Sequence, residues 1–124
     1  MIQSKTLVNL ADNSGIINGK CIKALGGFNK KYASVGNIII FSAKNIITSN
    51  NNIKKGDVHY GVIVRTQQTI FRKDGSNVKF KSNSIVLIDK QKHFLGTKIY
   101  GSVSKNLRIF KYVKILILSL NNVL

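Results

Sequence analysis

The sequence predicts a small, mainly β domain with a short helical segment near its C-terminal end. Short apolar stretches recur at close spacing with Gly, Asn and Asp between them, which is the pattern of a small β-barrel or sandwich. After residue 105 the apolar residues recur every three or four positions instead, as on one face of a helix. With 124 residues and no visible linker, we expect a single domain over residues 1–124.

Three strands are predicted in the first part of the chain. Residues 7–10 form the first, and a run of Asp, Asn, Ser and Gly then makes a tight turn. Residues 16–25 form the second. The third covers residues 35–41, where a continuous apolar run predicts burial on both faces.

Two further strands flank a segment of unusual charge. A polar loop at 48–52 and a basic turn at 53–57 lead into a fourth strand, whose apolar part is residues 61–64. The last strand covers residues 84–88. The chain contains no proline, so glycine and asparagine must supply the turns between these strands.

The segment between the last two strands predicts a β-ribbon with a positively charged tip. An Asp-Gly turn stands at 74–75, and the chain returns as Val-Lys-Phe-Lys at 78–81, alternating apolar and cationic residues. We expect Val78 and Phe80 to hold the inner face of the ribbon, with the cations directed outward.

The C-terminal segment predicts one or two short helices, over about residues 105–120, packed against the strands. Their apolar face is predicted to comprise Leu107, Phe110, Val113, Leu116 and Leu120. The cations of this segment fall on the opposite side.

The charge balance indicates a polyanionic partner. Lys and Arg number 20 against 4 acidic residues, all aspartate, which gives a formal net charge of +16. Such an excess repels itself in a free monomer and is stabilised when nucleic acid, an anionic membrane or an acidic protein neutralises it. The hydrophobic fraction of 44% excludes a disordered basic tail.

Catalytic, metal and cofactor sites are not expected. Cys21 is the single cysteine, so neither a disulfide nor a cysteine-based zinc site can form within the chain, and we predict that it is a core residue. His59 and His93 stand in unrelated settings, and three of the four aspartates lie beside turns, where local hydrogen bonds account for them.

Basic residues beside aromatic residues or on loops predict nucleic-acid binding. Lys30-Lys31-Tyr32 places two cations next to a ring that can stack on a base, and Lys54-Lys55 stands on a loop tip. The candidate RNA-contacting residues are Lys23, Lys30, Lys31, Tyr32, Lys44, Lys54, Lys55, Arg65, Arg72, Lys73, Lys79, Lys98 and Arg108.

Collinear motifs along the whole chain resemble the universal large-subunit ribosomal protein fourteen family in its bacterial and organellar form. They include Ala-Asp-Asn-Ser-Gly at 11–15, Leu-Gly-Gly at 25–27, Lys-Lys-Gly-Asp-Val at 54–58, Gly-Val-Ile-Val-Arg-Thr at 61–66 and Gly-Thr-Lys-Ile at 96–99. Each motif is weak alone, but their common order over the family's full length is specific.

The resemblance implies a five-stranded β-barrel with a projecting ribbon and small C-terminal helices. It also implies a structural, non-enzymatic protein at the intersubunit face of the large ribosomal subunit. Its partners would be large-subunit rRNA, neighbouring ribosomal proteins, small-subunit rRNA through a bridge, and a ribosome-silencing factor that can dock there. The bridge or partner surface is expected at Thr97, Tyr100, Lys105 and Lys111.

Two other functions are compatible with the net positive charge of the chain. A free single-strand binder would stack bases on an aromatic row, and a peripheral membrane protein would use the cationic helix at 107–120, although we expect no membrane partner.

Lysine outnumbers arginine 17 to 3, as in AT-rich genes, and no presequence is apparent. We therefore expect an organelle-encoded protein of the mitochondrial matrix ribosome, in preference to a plastid one.

Overall fold

The computed structural model describes residues 1–47, 53–119 and 123–124, and its centre is a closed barrel of five strands. These strands are β1 (Leu7–Leu10), β2 (Ile16–Ala24), β3 (Ile38–Ile46), β4 (Val58–Arg65) and β7 (Ser84–Ile88). Neighbours run antiparallel from β1 to β4 and from β4 to β7, and a parallel pairing of β7 with β1 closes the barrel. The predicted five-stranded barrel is confirmed.

A two-stranded ribbon, β5 (Ile70–Phe71) with β6 (Asn77–Val78), connects β4 to β7. The predicted turn lies at its tip, where Gly75 adopts a φ of 88°. Phe80 is buried and Val78 is half-buried, so the predicted inner face of the ribbon is confirmed.

The barrel interior is filled by alternate residues of β2 and β3. Phe41 is fully buried at its centre, and Cys21 is buried beside it, as predicted. Gly19 of β2 pairs with Ala43, and a Cβ atom at Gly19 would come within 2.5 Å of the Phe41 ring and 2.9 Å of the Ser42 carbonyl oxygen. The large ring therefore fits because the facing strand carries no side chain at this position.

Strand β7 and residues 61–64 of β4 are buried on both faces. Residues 61–64 and all of Ser84–Ile88 are inaccessible to solvent or nearly so. One face forms the barrel interior, and the C-terminal segment packs against the other: the Ser104 main-chain N–H donates to the Val64 carbonyl oxygen (3.3 Å), and Ile115 joins the same core. The apolar runs at 62–64 and 85–88 are consistent with this double burial.

The third strand begins later than its sequence predicts. Gly36 has a φ of +89°, and the Asn37 N–H donates to the Ser34 carbonyl oxygen, so residues 34–37 form a turn. The strand then continues to Ile46 because β3 pairs along the whole length of β2. The prediction of burial on both faces was wrong at Ile38 and Ile40, which are half-buried on the outer surface.

The C-terminal segment contains two short helices, as predicted, but they do not share one continuous apolar face. A 3-10 helix covers Lys105–Arg108, and α1 covers Val113–Leu118. Lys111 between them has a φ of +65°, which is not a helical conformation, so the helical periodicity is interrupted at this residue. The core residues are consequently Leu107, Ile115 and Leu116.

Two residues of the predicted face are exposed instead. Phe110 is 46% exposed and Val113 is 50% exposed, so their assignment to the buried face was wrong. The Phe110 ring lies over Gly36 at the barrel surface. Leu120 and the loop at 48–52 lie outside the described residues.

A buried carboxylate completes the seam between β1 and β7. The Ala11 N–H donates to the Ile85 carbonyl oxygen (2.9 Å), and beyond this point Asp12 continues the contact through its side chain. Its Oδ2 accepts from the Leu87 N–H (2.8 Å), and its Oδ1 accepts from the Ser14 hydroxyl (2.7 Å). Asp12 is 6% exposed, so these bonds replace nearly all its contact with water.

Asp12→Ala should lower the free energy of unfolding by about 2–3 kcal/mol, because the buried Leu87 N–H loses a charged acceptor. Urea denaturation followed by circular dichroism measures the loss. Asp57→Ala removes a turn carboxylate outside the barrel seam, and should cost less than about 1 kcal/mol. Equal losses in the two variants would contradict the role of Asp12 in closing the barrel.

The Cys21 thiol should react slowly in the folded chain. Burial raises the pKa of this thiol, which disfavours the reactive thiolate, and also excludes the reagent. We expect labelling by a thiol reagent at pH 8 to be at least roughly 100-fold slower in native buffer than in urea. Equal rates in the two solvents would show that the free chain does not form the closed barrel.

Candidate nucleic-acid interface

The four carboxylates are all engaged inside the chain. Besides Asp12, the Asp57 carboxylate accepts from the Lys54 N–H (2.9 Å) and the Asp74 carboxylate accepts from the Ser76 N–H (2.9 Å). Asp89 accepts from the Gln91 and His93 main-chain N–H groups. Each therefore serves local backbone geometry, as the turn positions of the first three predicted.

The Lys and Arg side chains lack aspartate partners in the described ranges. All 20 Lys and Arg residues lie in the described ranges, and there none is within 4 Å of an aspartate oxygen. The single such contact in these ranges joins His93 Nδ1 to Asp89 Oδ2 at 3.6 Å. The positive charge of the surface is therefore available to a partner.

Four predicted RNA residues border one cleft of about 500 Å³ at the end of β2. We call it the β2 cleft, and its lining residues are Gln3, Ser4, Lys23, Ala24, Asn29, Lys30, Lys31 and Tyr32. Reciprocal hydrogen bonds between the main chains of Ile2 and Ala33 (2.9 and 2.7 Å) hold the N-terminal residues beside the loop that precedes β3.

The cations of the β2 cleft differ in their exposure and in their hydrogen bonds. With the Asn37 amide oriented toward its neighbouring donors, its oxygen accepts from the Lys30 ammonium (3.1 Å), and Lys30 is half-buried. Lys23 and Lys31 are exposed, and Tyr32 is 51% exposed. Lys30 thus supports the loop, while the other three side chains face incoming ligands.

A second basic surface lies at the corner between β3 and β4, where Lys44, Lys54 and Lys55 are all exposed. Main-chain bonds place the 54–57 turn against β3: the Gly56 N–H donates to the Ala43 carbonyl oxygen (2.8 Å), and the Ala43 N–H donates to that of Asp57 (2.9 Å). The structure therefore brings these three predicted residues together, although ten positions separate Lys44 from Lys54.

The ribbon carries Arg72, Lys73 and Lys79, but they are not equivalent. The Arg72 guanidinium donates to the main-chain oxygen of Leu124 and is half-buried, whereas Lys73 and Lys79 are exposed. Hydrogen bonds from Ser76 lower the pKa of the Asp74 carboxyl at the tip, with smaller contributions from Lys105 and Arg72. The tip is therefore a cationic surface with one fixed anion.

Arg65 lies at the end of β4 rather than on the ribbon. Its Nη1 donates to the carbonyl oxygens of Tyr100 (3.0 Å) and Ser102 (2.8 Å). Gly101 between them has a φ of +79°, and a Cβ there would meet the guanidinium. Burial lowers the pKa of Arg65, but arginine remains charged in proteins. Arg65 therefore fastens the 100–102 loop to the barrel.

Thr97, Lys98 and Tyr100 share one loop attached to the β1–β2 turn. The Asn13 Oδ1 accepts from the Thr97 N–H (2.9 Å) and the Lys98 N–H (3.2 Å), and its Nδ2 donates to the Thr97 hydroxyl (2.7 Å). The Tyr100 N–H donates to the Ala11 carbonyl oxygen (2.6 Å), and Tyr100 is 57% exposed. These three side chains form a small, well-anchored surface.

The remaining predicted residues lie on the C-terminal segment. Lys105 and Arg108 border a cleft of about 390 Å³, and Lys105 is close enough to the ribbon tip to influence its carboxyl. Lys111 borders a different cleft of about 240 Å³ together with Lys92 and Lys114. The residues predicted for a bridge or partner surface therefore fall on the 97–100 loop and on two clefts of this segment.

Phe28 and the cleft beside Lys111 were not predicted from the sequence as parts of an interface. Phe28 is 96% exposed at the tip of the loop before β3, next to Asn29 with its φ of +52°. An aromatic residue between Gly-Gly and Asn, outside any apolar alternation, was the available signal. Lys92 and Lys114 are 22 positions apart, so only tertiary packing brings them together.

Arg65→Lys should lower the free energy of unfolding by about 1 kcal/mol, because the shorter lysine side chain cannot place its ammonium where Nη1 donates to two carbonyl oxygens. Lys54→Arg, an exposed substitution that also keeps the charge, should change it by less than about 0.5 kcal/mol. Urea denaturation compares both with the unsubstituted chain. Unchanged stability with weakened RNA affinity would instead make Arg65 an RNA contact.

Other site classes find little support in the described part of the chain. It contains no cluster of three or more His, Cys, Asp or Glu side chains that could hold a metal ion. Among its helices, none has both the length and the apolar composition needed to cross a bilayer.

The chain matches the family of ribosomal protein L14p/L23e over residues 1–123, which is nearly its whole length. The match confirms the resemblance drawn from the collinear motifs. Proteins of this kind are normally structural and non-enzymatic components of the translation machinery. The closed barrel and the match together show that the chain belongs to the ribosomal protein L14p/L23e family, whose members are structural proteins of the large ribosomal subunit.

Proposed function

We propose that this protein binds large-subunit rRNA as an integral component of the subunit, lies at the intersubunit face and contributes to a bridge with small-subunit rRNA. The supporting observation is the charge arrangement. All four carboxylates serve the fold internally, while all 20 cationic side chains lack an aspartate partner in the described ranges. A folded barrel with this surface is complementary to a polyanion of fixed shape.

Phosphate binding follows from the residue type and placement. Lysine binds phosphate as a point charge, and each neutralised phosphate releases counterions, which favours association at moderate salt. The β2 cleft, the β3–β4 corner and the ribbon present exposed lysines on three separate surfaces. Structured RNA offers crowded phosphates over comparable distances, and is recognised largely by shape and backbone.

The 97–100 loop is the surface that we assign to the bridge. Asn13 fixes its backbone, so Thr97, Lys98 and Tyr100 can contact a second RNA without a large ordering cost. The C-terminal clefts are assigned to neighbouring proteins, including a silencing factor. Ile109 lines one cleft with Lys105 and Arg108, and Phe94 lines the other with Lys111 and Lys114. This mixture of apolar and charged groups suits a protein interface.

The two rival functions lack the surfaces that they require. A single-strand binder needs an aromatic row in one groove. Phe28 and Tyr32 share one loop, but the other exposed aromatic residues, Phe71, Tyr100 and Phe110, lie in separate segments of the fold. A membrane-binding helix needs a long apolar face, but α1 has six residues and buries Ile115 and Leu116 in the core. The mitochondrial ribosome remains our proposed location, on the basis of composition.

Lys73→Gln combined with Lys79→Gln should weaken retention of the protein in the large subunit. These lysines are exposed, whereas Arg72 also holds Leu124 and would confound the result. The variants are expressed in cells whose organelle ribosomes use this chain, and subunits are separated on sucrose gradients of rising salt. Quantitative mass spectrometry should show release of the double variant at lower salt, since it loses roughly two phosphate contacts.

Lys5→Gln combined with Lys90→Gln is the matched control, because both lysines are exposed and lie outside the proposed surfaces. It should be retained like the unsubstituted chain. Equal release of the two double variants would contradict the role of the ribbon. Absence of the unsubstituted chain from the large-subunit fraction would contradict the proposed function as a whole.

A further inference from the structure

We propose that the β2 cleft binds one unpaired nucleotide of RNA, with its base stacked on Tyr32 and its phosphate held by Lys23 and Lys31. The inference rests on the proposed rRNA binding and specifies what this one surface recognises. Its volume of about 500 Å³ lies within the range of about 300–1,000 Å³ that is typical of small-ligand sites. Duplex RNA could not place a base in such a cleft without unpairing it.

The cleft supplies each part that a nucleotide requires. Tyr32 offers a half-exposed ring for stacking, and Lys23 and Lys31 offer exposed ammonium groups on its border. Gln3 and Asn29 line the same cleft, and their side-chain amides have no hydrogen-bond partner within the described ranges, so they are available to a base edge or a sugar hydroxyl.

The fold holds these parts in place before any ligand arrives. The Ile2–Ala33 bonds fix one wall, and the Ser4 hydroxyl donates to the Ile22 carbonyl oxygen (2.8 Å) on another. Lys30 is bound to the Asn37 amide and so stiffens the loop between the two exposed lysines. A site that is already ordered pays little conformational entropy when it binds.

The combination of groups favours an unpaired nucleotide over other polyanions. The backbone of duplex RNA, or an acidic peptide, would need only the cations. Neither would explain the exposed aromatic residues of this loop, Phe28 at its tip and Tyr32 on the border of the cleft. Stacking on aromatic rings is a general means of binding bases that loops and bulges leave unpaired.

Two RNA hairpins that differ by a single bulged adenosine test the proposal with the full-length chain. Tyr32→Ala should weaken binding to the bulged hairpin by about ten-fold, the loss of one stacked base, and binding to the paired hairpin by less than about two-fold. Tyr32→Phe keeps the ring and should leave both affinities within about two-fold. Lys31→Gln should weaken both hairpins and reduce the salt slope by roughly one.

Phe110→Ala is the matched control, since this aromatic residue is 46% exposed and lies outside both the cleft and the surfaces assigned to RNA. It should leave the preference for the bulged hairpin unchanged. Equal losses for Tyr32→Ala on both hairpins, or equal losses for Tyr32→Ala and Phe110→Ala, would overturn the nucleotide site while leaving rRNA binding intact. Failure of the unsubstituted chain to bind either hairpin would overturn both the site and the proposed function.

Discussion

Closure of the barrel between β1 and β7 is the constraint on which the rest of the structure depends. Two short strands meet there in parallel, and the Asp12 carboxylate extends their contact by accepting from the Leu87 N–H. The turn that carries Asp12 also carries Asn13, which holds the 97–100 loop. One turn therefore closes the core and orients an external surface. A substitution that displaces this turn should disturb both the barrel closure and the 97–100 loop.

The charge of the chain connects this fold to its partner. Twenty cations around a small barrel repel one another, and the four carboxylates contribute to turns and to the seam rather than to ion pairs with lysine. A partner that binds only the folded state stabilises it by mass action. Under the rRNA binding that we propose, the apparent stability of this protein should therefore rise with RNA concentration.

The sequence predicted elements wherever a local pattern coincided with a local structure. Strand β7 is buried throughout and is apolar after Ser84, and the Asp-Gly turn of the ribbon lies where the sequence predicts it. The start of β3 and the exposure of Phe110 were not predicted correctly. In both places a residue with positive φ, Gly36 or Lys111, interrupts a pattern that composition alone presents as continuous.

By itself, the sequence determined the class of fold, the excess of positive charge and the family, because these depend on patterns within short segments and on their order. Only the tertiary structure decided which cations face solvent and which hold loops. Arg65 donates to two carbonyl oxygens and Lys30 donates to an amide oxygen. The local sequence around each of them had predicted an RNA contact instead. The β2 cleft likewise joins Gln3 to Tyr32 across 29 positions. Such contacts depend on strand register and barrel closure, which local patterns do not encode.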